Sequence, residues 1–314
     1  MDIPVYLING FLEGGKTSFI KETLEDENFS NGEKTLLIVT EEGMEEYEKD
    51  FLSKTNTSMV VVEDKEELTP EFLKECNNKY APQRVMIECN GMWQMETFFN
   101  LNPPEEWIVV QLITLIDASS LELYLNNMKS MVIDKINGSS MIVINRCDND
   151  IEKLQSYRRT IKAVNRRTPI YFEGKDGNII DLGPEELPYD LNADIIEIND
   201  DDFGIWYIDS LENHENYNNK TIKLKGMVYN KDEFPAGSFV LGRMAMTCCE
   251  DDISFVAVVS KYEKSKELKH DSWVTVTAKV KYEFNKEYQE DLPVLFVEKV
   301  EEATEPQEKI VYFG

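Results

Sequence analysis

The sequence predicts a doubly wound, mostly parallel α/β sheet of the P-loop kind, followed by a small all-β, OB-like domain. Three observations carry that expectation. A short apolar run at residues 5–8 leads into Gly10-Phe11-Leu12-Glu13-Gly14-Gly15-Lys16-Thr17, in which two glycines five apart precede Lys and a hydroxyl residue. Near-continuous apolar runs then alternate with amphipathic stretches, as strands buried on both faces and separated by helices do. Beyond residue 220, five strand-like runs follow within a hundred residues without a long helix between them.

In chain order, strands are expected at 5–8, 35–39, 59–62, 85–88, 108–116, 141–144 and 170–172. Helices are expected from about Lys16 and over 70–80, 119–135 and 151–166. Such a sheet binds its ligand at the carboxyl ends of the strands. From Pro184 to Asn219 the texture changes: Pro184, Pro188, the run Asp200-Asp201-Asp202 and an Asn-rich stretch read as a connection, with a short helix expected over 203–211. The β region follows, at 221–229, 238–247, 253–261, 273–284 and 294–300. The expected division is therefore 1–183, an acidic connecting segment 184–219, and 220–314.

At 314 residues the chain suits two cores, and 42% apolar residues can fill them. No apolar run is long enough to span a bilayer, and the first residues do not read as a signal peptide. Five scattered cysteines, an odd number, argue against a disulfide framework and for a reducing cytoplasm. The formal charge of −27 is concentrated before Lys220, since 43 of the 60 acids lie there against 19 of the 33 Lys and Arg. A body that acidic repels polyanions, so nucleic acid and direct membrane insertion are not expected.

The glycine loop carries phosphate chemistry. Glycines let successive N–H groups turn inward, and the helix that follows adds its own unpaired N–H groups and positive dipole end. The expected phosphate contacts are Gly10, Glu13, Gly14, Gly15, Lys16, Thr17 and Ser18. Lys16 reaches the β- and γ-phosphates, and the Thr17 hydroxyl ligates Mg²⁺. The competing reading is a chance glycine turn between a strand and a helix.

Two further segments bear on that choice. Val85-Met86-Ile87-Glu88 is a buried strand ending in an acid, with Gly91 just beyond. Glu88 would stand beside the γ-phosphate as a catalytic residue with Lys16, and Gly91 would offer that phosphate its N–H; otherwise Glu88 is an ordinary strand-end carboxylate. Asn145-Arg146-Cys147-Asp148 follows the strand at 141–144. Asp148 would accept from the guanine ring N–H and amine, Asn145 would bond N7, and the Arg146 stem would stack on the base. Adenine would leave Asp148 unpaired.

The order of these segments resembles the CobW-type GTPases, a P-loop family tied to metal homeostasis. The resemblance rests on Asn9 to Thr17, on Ile87-Glu88-Cys89-Asn90-Gly91, on Leu115-Ile116-Asp117-Ala118 and on Asn145 to Asp148, and covers roughly residues 1–175. It implies GTP binding with Mg²⁺ and slow hydrolysis. It also implies that Glu41 belongs to a switch near Mg²⁺, the alternative being that Glu41 and Glu42 cap a helix. The family's Cys-x-Cys-Cys metal motif is missing, because the corresponding stretch reads Met59-Val60-Val61-Val62-Glu63-Asp64-Lys65-Glu66. A family-style soft-metal site in the first domain is therefore not expected.

The last hundred residues resemble a small domain attached to permease-associated bacterial membrane proteins, which implies action alongside a transporter. They hold the chain's densest soft-ligand cluster, Cys248-Cys249 before Asp251 and Asp252. These cysteines either pack a strand end or, at a bend, bind a soft metal such as Zn²⁺. The functional expectation is a cytoplasmic GTP-binding protein with weak intrinsic GTPase activity, an accessory factor in metal homeostasis or in metalloprotein or transporter assembly. The alternative is a nucleotide-gated interaction module with vestigial hydrolysis that docks on a permease or another protein client.

Overall fold

A computed structural model describes residues 2–41, 43, 45–183, 187–231, 234–246 and 253–313. It separates into two compact units. One comprises Met1–Leu154 and Val164–Leu182, the other Gln155–Ala163 and Gly183–Gly314.

The first unit is the expected parallel sheet. Its strands are β1 (Ile3–Gly10), β2 (Thr35–Val39), β3 (Thr57–Val61), β4 (Arg84–Glu88), β5 (Trp107–Asp117), β6 (Met141–Cys147) and β7 (Ile170–Gly174), in the spatial order β3-β2-β4-β1-β5-β6-β7. Every pairing among them is parallel. The sequence looks continuously apolar because alternate residues serve opposite faces. Leu36, Ile38, Val85 and Ile87 pack on one side with Leu73, Phe98 and Trp107. Leu37, Val39 and Met86 pack on the other with Ile20 and Leu24. Each such side chain, fully buried, contributes roughly 1.5–3 kcal/mol.

The helices are α1 (Lys16–Glu25), α2 (Glu27–Ser30), α3 (Lys49–Lys54), α4 (Pro70–Tyr80), α5 (Glu96–Phe99), α6 (Ala118–Asn127), α7 (Lys129–Ile136) and α8 (Ile151–Val164). α4 starts as its sequence dictates: the Thr69 hydroxyl accepts from the Phe72 N–H, and Pro70 takes the first turn. The single helix expected over 119–135 is instead two. Asn127 turns its side-chain amide onto the Leu123 carbonyl, and the chain leaves the helical basin at Met128, with φ −139° and ψ 36°. α7 then restarts and carries Lys135 into the interior.

The second unit is a barrel of β9 (Thr221–Tyr229), β10 (Ser238–Ala245), β11 (Ser254–Lys261), β12 (Trp273–Asn285) and β13 (Glu290–Glu302). The β9–β10, β10–β11, β12–β13 and β9–β12 pairs are antiparallel and β11–β13 is parallel, so the ring returns to its start in the OB-like order. The contact closing β9 on β10 runs only from Met227–Gly242 to Tyr229–Val240, which leaves the barrel partly open. β13 begins earlier than expected. β11 joins β13 only from Val294, so Pro293 sits where that side of the strand is an edge and its missing N–H costs no ladder bond.

Residues 187–219 add β8 (Ile196–Glu197), α9 (Phe203–Glu212) and α10 (His214–Tyr217) to this unit. Phe203, Trp206 and Tyr217 share one core with Leu224, Phe239, Leu241, Val276 and Leu295. The short strand β14 (Ile310–Val311) pairs with β10.

Candidate nucleotide site

The sheet order places the glycine loop where it can act. β1 is central, and its neighbours β4 and β5 belong to chain segments running off to opposite sides, so a crevice opens beyond its carboxyl end. The loop enters α1 through Gly15, which has φ 95° and offers no side-chain cap, leaving the first N–H groups of the helix uncapped from within. A Cβ on Gly15 would fall 2.5 Å from Asn145 Nδ2. One on Gly91 would fall 2.8–2.9 Å from the loop backbone at Gly10, Phe11 and Leu12. The loop is thus clasped from the ends of β4 and β6 at a distance only glycine permits.

Lys16 is buried. Its Nζ donates to the carbonyls of Gly10 (3.0 Å) and Phe11 (2.9 Å) and to Glu41 Oε2 (2.7 Å). The Gly91 N–H donates to the other oxygen of the same carboxylate at 3.1 Å. Beside them the Thr17 hydroxyl donates to Glu88 Oε1 at 2.9 Å, and the Tyr47 hydroxyl donates to Glu88 Oε2 at 2.6 Å. Burial pushes the Glu88 carboxyl above its ordinary range, although both hydroxyls and the Lys16 charge pull it back. Burial also raises Tyr47, helped by the negative charge of Glu88. The Ser18 hydroxyl donates to Glu45 at 2.6 Å, and Lys21 pairs with Glu45 and Glu48.

Towards β6, the Asn145 amide donates to the Gly14 carbonyl at 2.9 Å. The Asn145 Oδ1 is buried without a hydrogen-bond partner among the described residues. Arg146, with φ 53°, donates to the Glu13 carbonyl (2.9 Å) and to Asp117 (2.6 Å). Burial opposes ionisation of Asp117, but Ser119 and Arg146 outweigh it and hold the carboxyl below its usual range. Asp148 stands apart on the surface, paired with Lys175.

The structure therefore brings Glu13, Gly15, Lys16, Thr17, Ser18, Glu41, Glu88 and Arg146 to one cavity of about 280 Å³. A second cavity of about 330 Å³ shares Thr17, Glu41 and Glu88 and opens onto Val39, Met59 and Val61. Gly10, Gly14, Gly91 and Asn145 form the wall behind the first, and Asp148 does not line it. Nothing local in the sequence marks Tyr47, Glu45 or Lys135 as part of this site. Lys135 is wholly buried, 5.4 Å from the Phe11 ring centroid, and its Nζ donates to Asn9 Oδ1 and the Trp93 carbonyl, both at 3.4 Å.

Metal chemistry divides by ligand type. Cys76, Cys89 and Cys147 are buried and free, and burial pushes all three thiols up, Cys89 to about 12 and Cys147 to about 11. Thiols so raised are poor thiolate ligands. Among the described residues no group of three or more His, Cys, Asp or Glu could hold a metal ion. Mg²⁺ asks less, since it binds through one or two protein oxygens plus phosphates and water, which the adjoining Thr17 and Glu88 oxygens fit. Cys248 and Cys249 lie outside the described residues, as does Glu42.

The family profile described as CobW/HypB/UreG, nucleotide-binding domain, matches residues 4–172, more than half of the chain. The chain belongs to the CobW/HypB/UreG family. Residues 183–313 match the DUF1980 C-terminal domain. No curated protein is significantly similar in sequence to this CobW/HypB/UreG-family chain. Among solved structures it is similar to the hydrogenase maturation factor HypB from Archaeoglobus fulgidus, at 16% identity over 57% of this chain and 84% of that one, TM-score 0.39. It is also similar to HypB from Helicobacter pylori in complex with nickel, at 13% identity over 55% and 80%, TM-score 0.33. The signal recognition particle receptor FtsY from Elizabethkingia anophelis matches at 12% identity over 57% and 62%, TM-score 0.37. No helix among the described residues is long and apolar enough to cross a membrane.

Proposed function

We propose that this CobW/HypB/UreG-family chain binds GTP through residues 1–183 and hydrolyses it slowly. The observation that carries the reading is the convergence on one cavity of Lys16, the uncapped start of α1 and the Thr17–Glu88 pair. Lys16 and the loop N–H groups hold phosphate oxygens in place, Thr17 and Glu88 are the residues that would hold Mg²⁺, and Gly91 donates to the terminal phosphate. Bound Mg²⁺ supplies charge neutralisation at the phosphates. Asn145 and Asp148 read the guanine edge, and the Arg146 stem lies along the base. The cations lining the cavity are Lys16 and Arg146, and Arg146 is committed to Asp117 and the Glu13 carbonyl, so hydrolysis is slow until a partner contributes charge.

Family membership supports an accessory role in metal homeostasis or in metalloprotein or transporter assembly, in the cytoplasm. The β-barrel unit is the part that engages the protein client, a permease or a metalloenzyme. Calorimetric titration of the purified chain with GTP, GDP and ATP, with and without Mg²⁺, tests the nucleotide reading. Binding of guanine nucleotides alone is the expected result, and absence of nucleotide binding overturns it.

A further inference from the structure

The Glu41 carboxylate sits where two phosphate donors converge. Lys16 Nζ donates to one of its oxygens at 2.7 Å and the Gly91 N–H to the other at 3.1 Å. On the reading above these are the groups that grip the terminal phosphate: the P-loop lysine reaches the β- and γ-phosphates, and the glycine beyond β4 supplies a backbone donor. A carboxylate and a phosphoryl group both present anionic oxygens to such donors, so Glu41 is an internal counterpart of the terminal phosphate. The contact is enclosed, with side-chain exposures of 3% for Lys16 and 10% for Glu41.

We propose that Glu41 is the specificity-determining residue for phosphate number: it occupies the terminal-phosphate subsite and yields it only to a triphosphate. The inference rests on the GTP-binding reading and deepens it. A diphosphate approaches Lys16 only from its β-phosphate and leaves the Gly91 N–H to Glu41. A triphosphate cannot share them, because the donors are already used and two anions at hydrogen-bond distance repel.

The chain just before Glu41 cannot give way. Thr40 is buried, its hydroxyl donates to the Glu88 carbonyl at 2.9 Å, and its own carbonyl accepts from Asn90 at 2.9 Å. Displacement therefore falls on the Glu41 side chain itself, in a cavity it shares with Glu45, Tyr47 and Glu88.

The test is equilibrium binding of GDP and of the non-hydrolysable triphosphate GMPPNP to the full chain, in EDTA, so that no role of Glu41 towards Mg²⁺ enters. Parent, Glu41→Ala and the isosteric Glu41→Gln are compared, with thermal unfolding to establish that each folds; Glu41→Gln carries the test should the alanine variant unfold. The expected result is a GMPPNP Kd lowered about tenfold in Glu41→Ala and less in Glu41→Gln, with the GDP Kd moving by under about twofold. An unchanged GMPPNP Kd, or equal gains for both nucleotides, overturns the proposal and leaves the GTP-binding reading standing. A parent chain that binds neither nucleotide overturns that reading, and this inference with it.

Discussion

The side-chain amide of Asn145 donates to the backbone carbonyl of Gly14, 131 positions earlier in the chain, across 2.9 Å. The loop after β6 and the glycine loop after β1 are thereby held as one surface. Asn145→Ala should then loosen the glycine loop as well as remove a base contact, weakening GDP and GTP together by about tenfold, the loss of one or two hydrogen bonds. Isothermal titration with both nucleotides checks this, and a variant that loses only one of them contradicts it.

Lys16→Ala should lower affinity for GTP by at least about tenfold, because a phosphate loses a charge-assisted donor. The fold should survive, since Lys16 sits on a loop–helix junction and the strands pack without it. Fluorescence titration with a labelled GTP analogue, alongside a urea melt, separates the two effects. Retained affinity would mean that the glycine loop does not bind phosphate.

GTP should be preferred over ATP by at least roughly tenfold, since adenine leaves an acceptor at the base edge unpaired. Asp148 is exposed and paired with Lys175, so it must leave that partner to read a base. Asp148→Asn should therefore move the preference towards xanthosine nucleotides, while Lys175→Ala should leave the guanine preference intact. Competition binding with GTP, XTP and ATP decides the matter.

Glu88 gives a pH signature with a definite sign. Its carboxyl is raised in the folded chain by burial, so the folded state holds the proton more tightly than the unfolded one. The contribution of Glu88 to stability is therefore best at low pH and declines as pH rises from the ordinary Glu range through the raised folded value. Glu88→Gln should gain stability relative to the parent across that window and no further above it. Tyr47→Phe, which removes a donor from the carboxylate, should cost about 1–3 kcal/mol near neutral pH and extend the window upward. Urea unfolding between pH 4 and pH 8 measures both. An identical pH profile in parent and Glu88→Gln would rule out the buried carboxylate as its source.

Any soft metal that stays with the purified chain should depend on Cys248 and Cys249. The thiols of Cys76, Cys89 and Cys147 are buried and raised, so they do not furnish thiolates near neutral pH. Co²⁺ absorption and Zn²⁺ analysis of the full chain should show metal that disappears in the Cys248→Ser, Cys249→Ser double variant. Metal retained in that variant would point to another site.

Much of the first unit was legible because its signals are local. The strand at 35–39 is buried at every position and apolar at all but Thr35 because both faces are covered, and the glycine spacing marks the tight turn after β1. The barrel was legible from alternation, plain in β9, where inward Ile222, Leu224 and Val228 alternate with half-exposed neighbours. What escaped is what depends on distant partners. Tyr47 lies in an acidic segment without period, and its role comes from a carboxylate 41 positions away. Lys135 reads as a solvent-facing lysine on an amphipathic helix, and the Phe11 ring, the Asn9 amide oxygen and the Trp93 carbonyl make its burial tolerable. The strand expected from 294 in fact starts at Glu290, because nothing local says that Pro293 lies on an edge there.

The place of β1 between β4 and β5 has a consequence for how the protein is made. When the first strand and its glycine loop leave the ribosome, neither flanking strand exists, and Asn145, which braces the loop, is far from synthesised. At roughly 5–20 residues per second, the interval is on the order of ten seconds. Through that time the glycine loop lacks its brace at Asn145. The glycine loop is thus translated well before the residue that braces it. A nascent chain halted before β6 should be unable to retain nucleotide, whatever its first hundred residues contain.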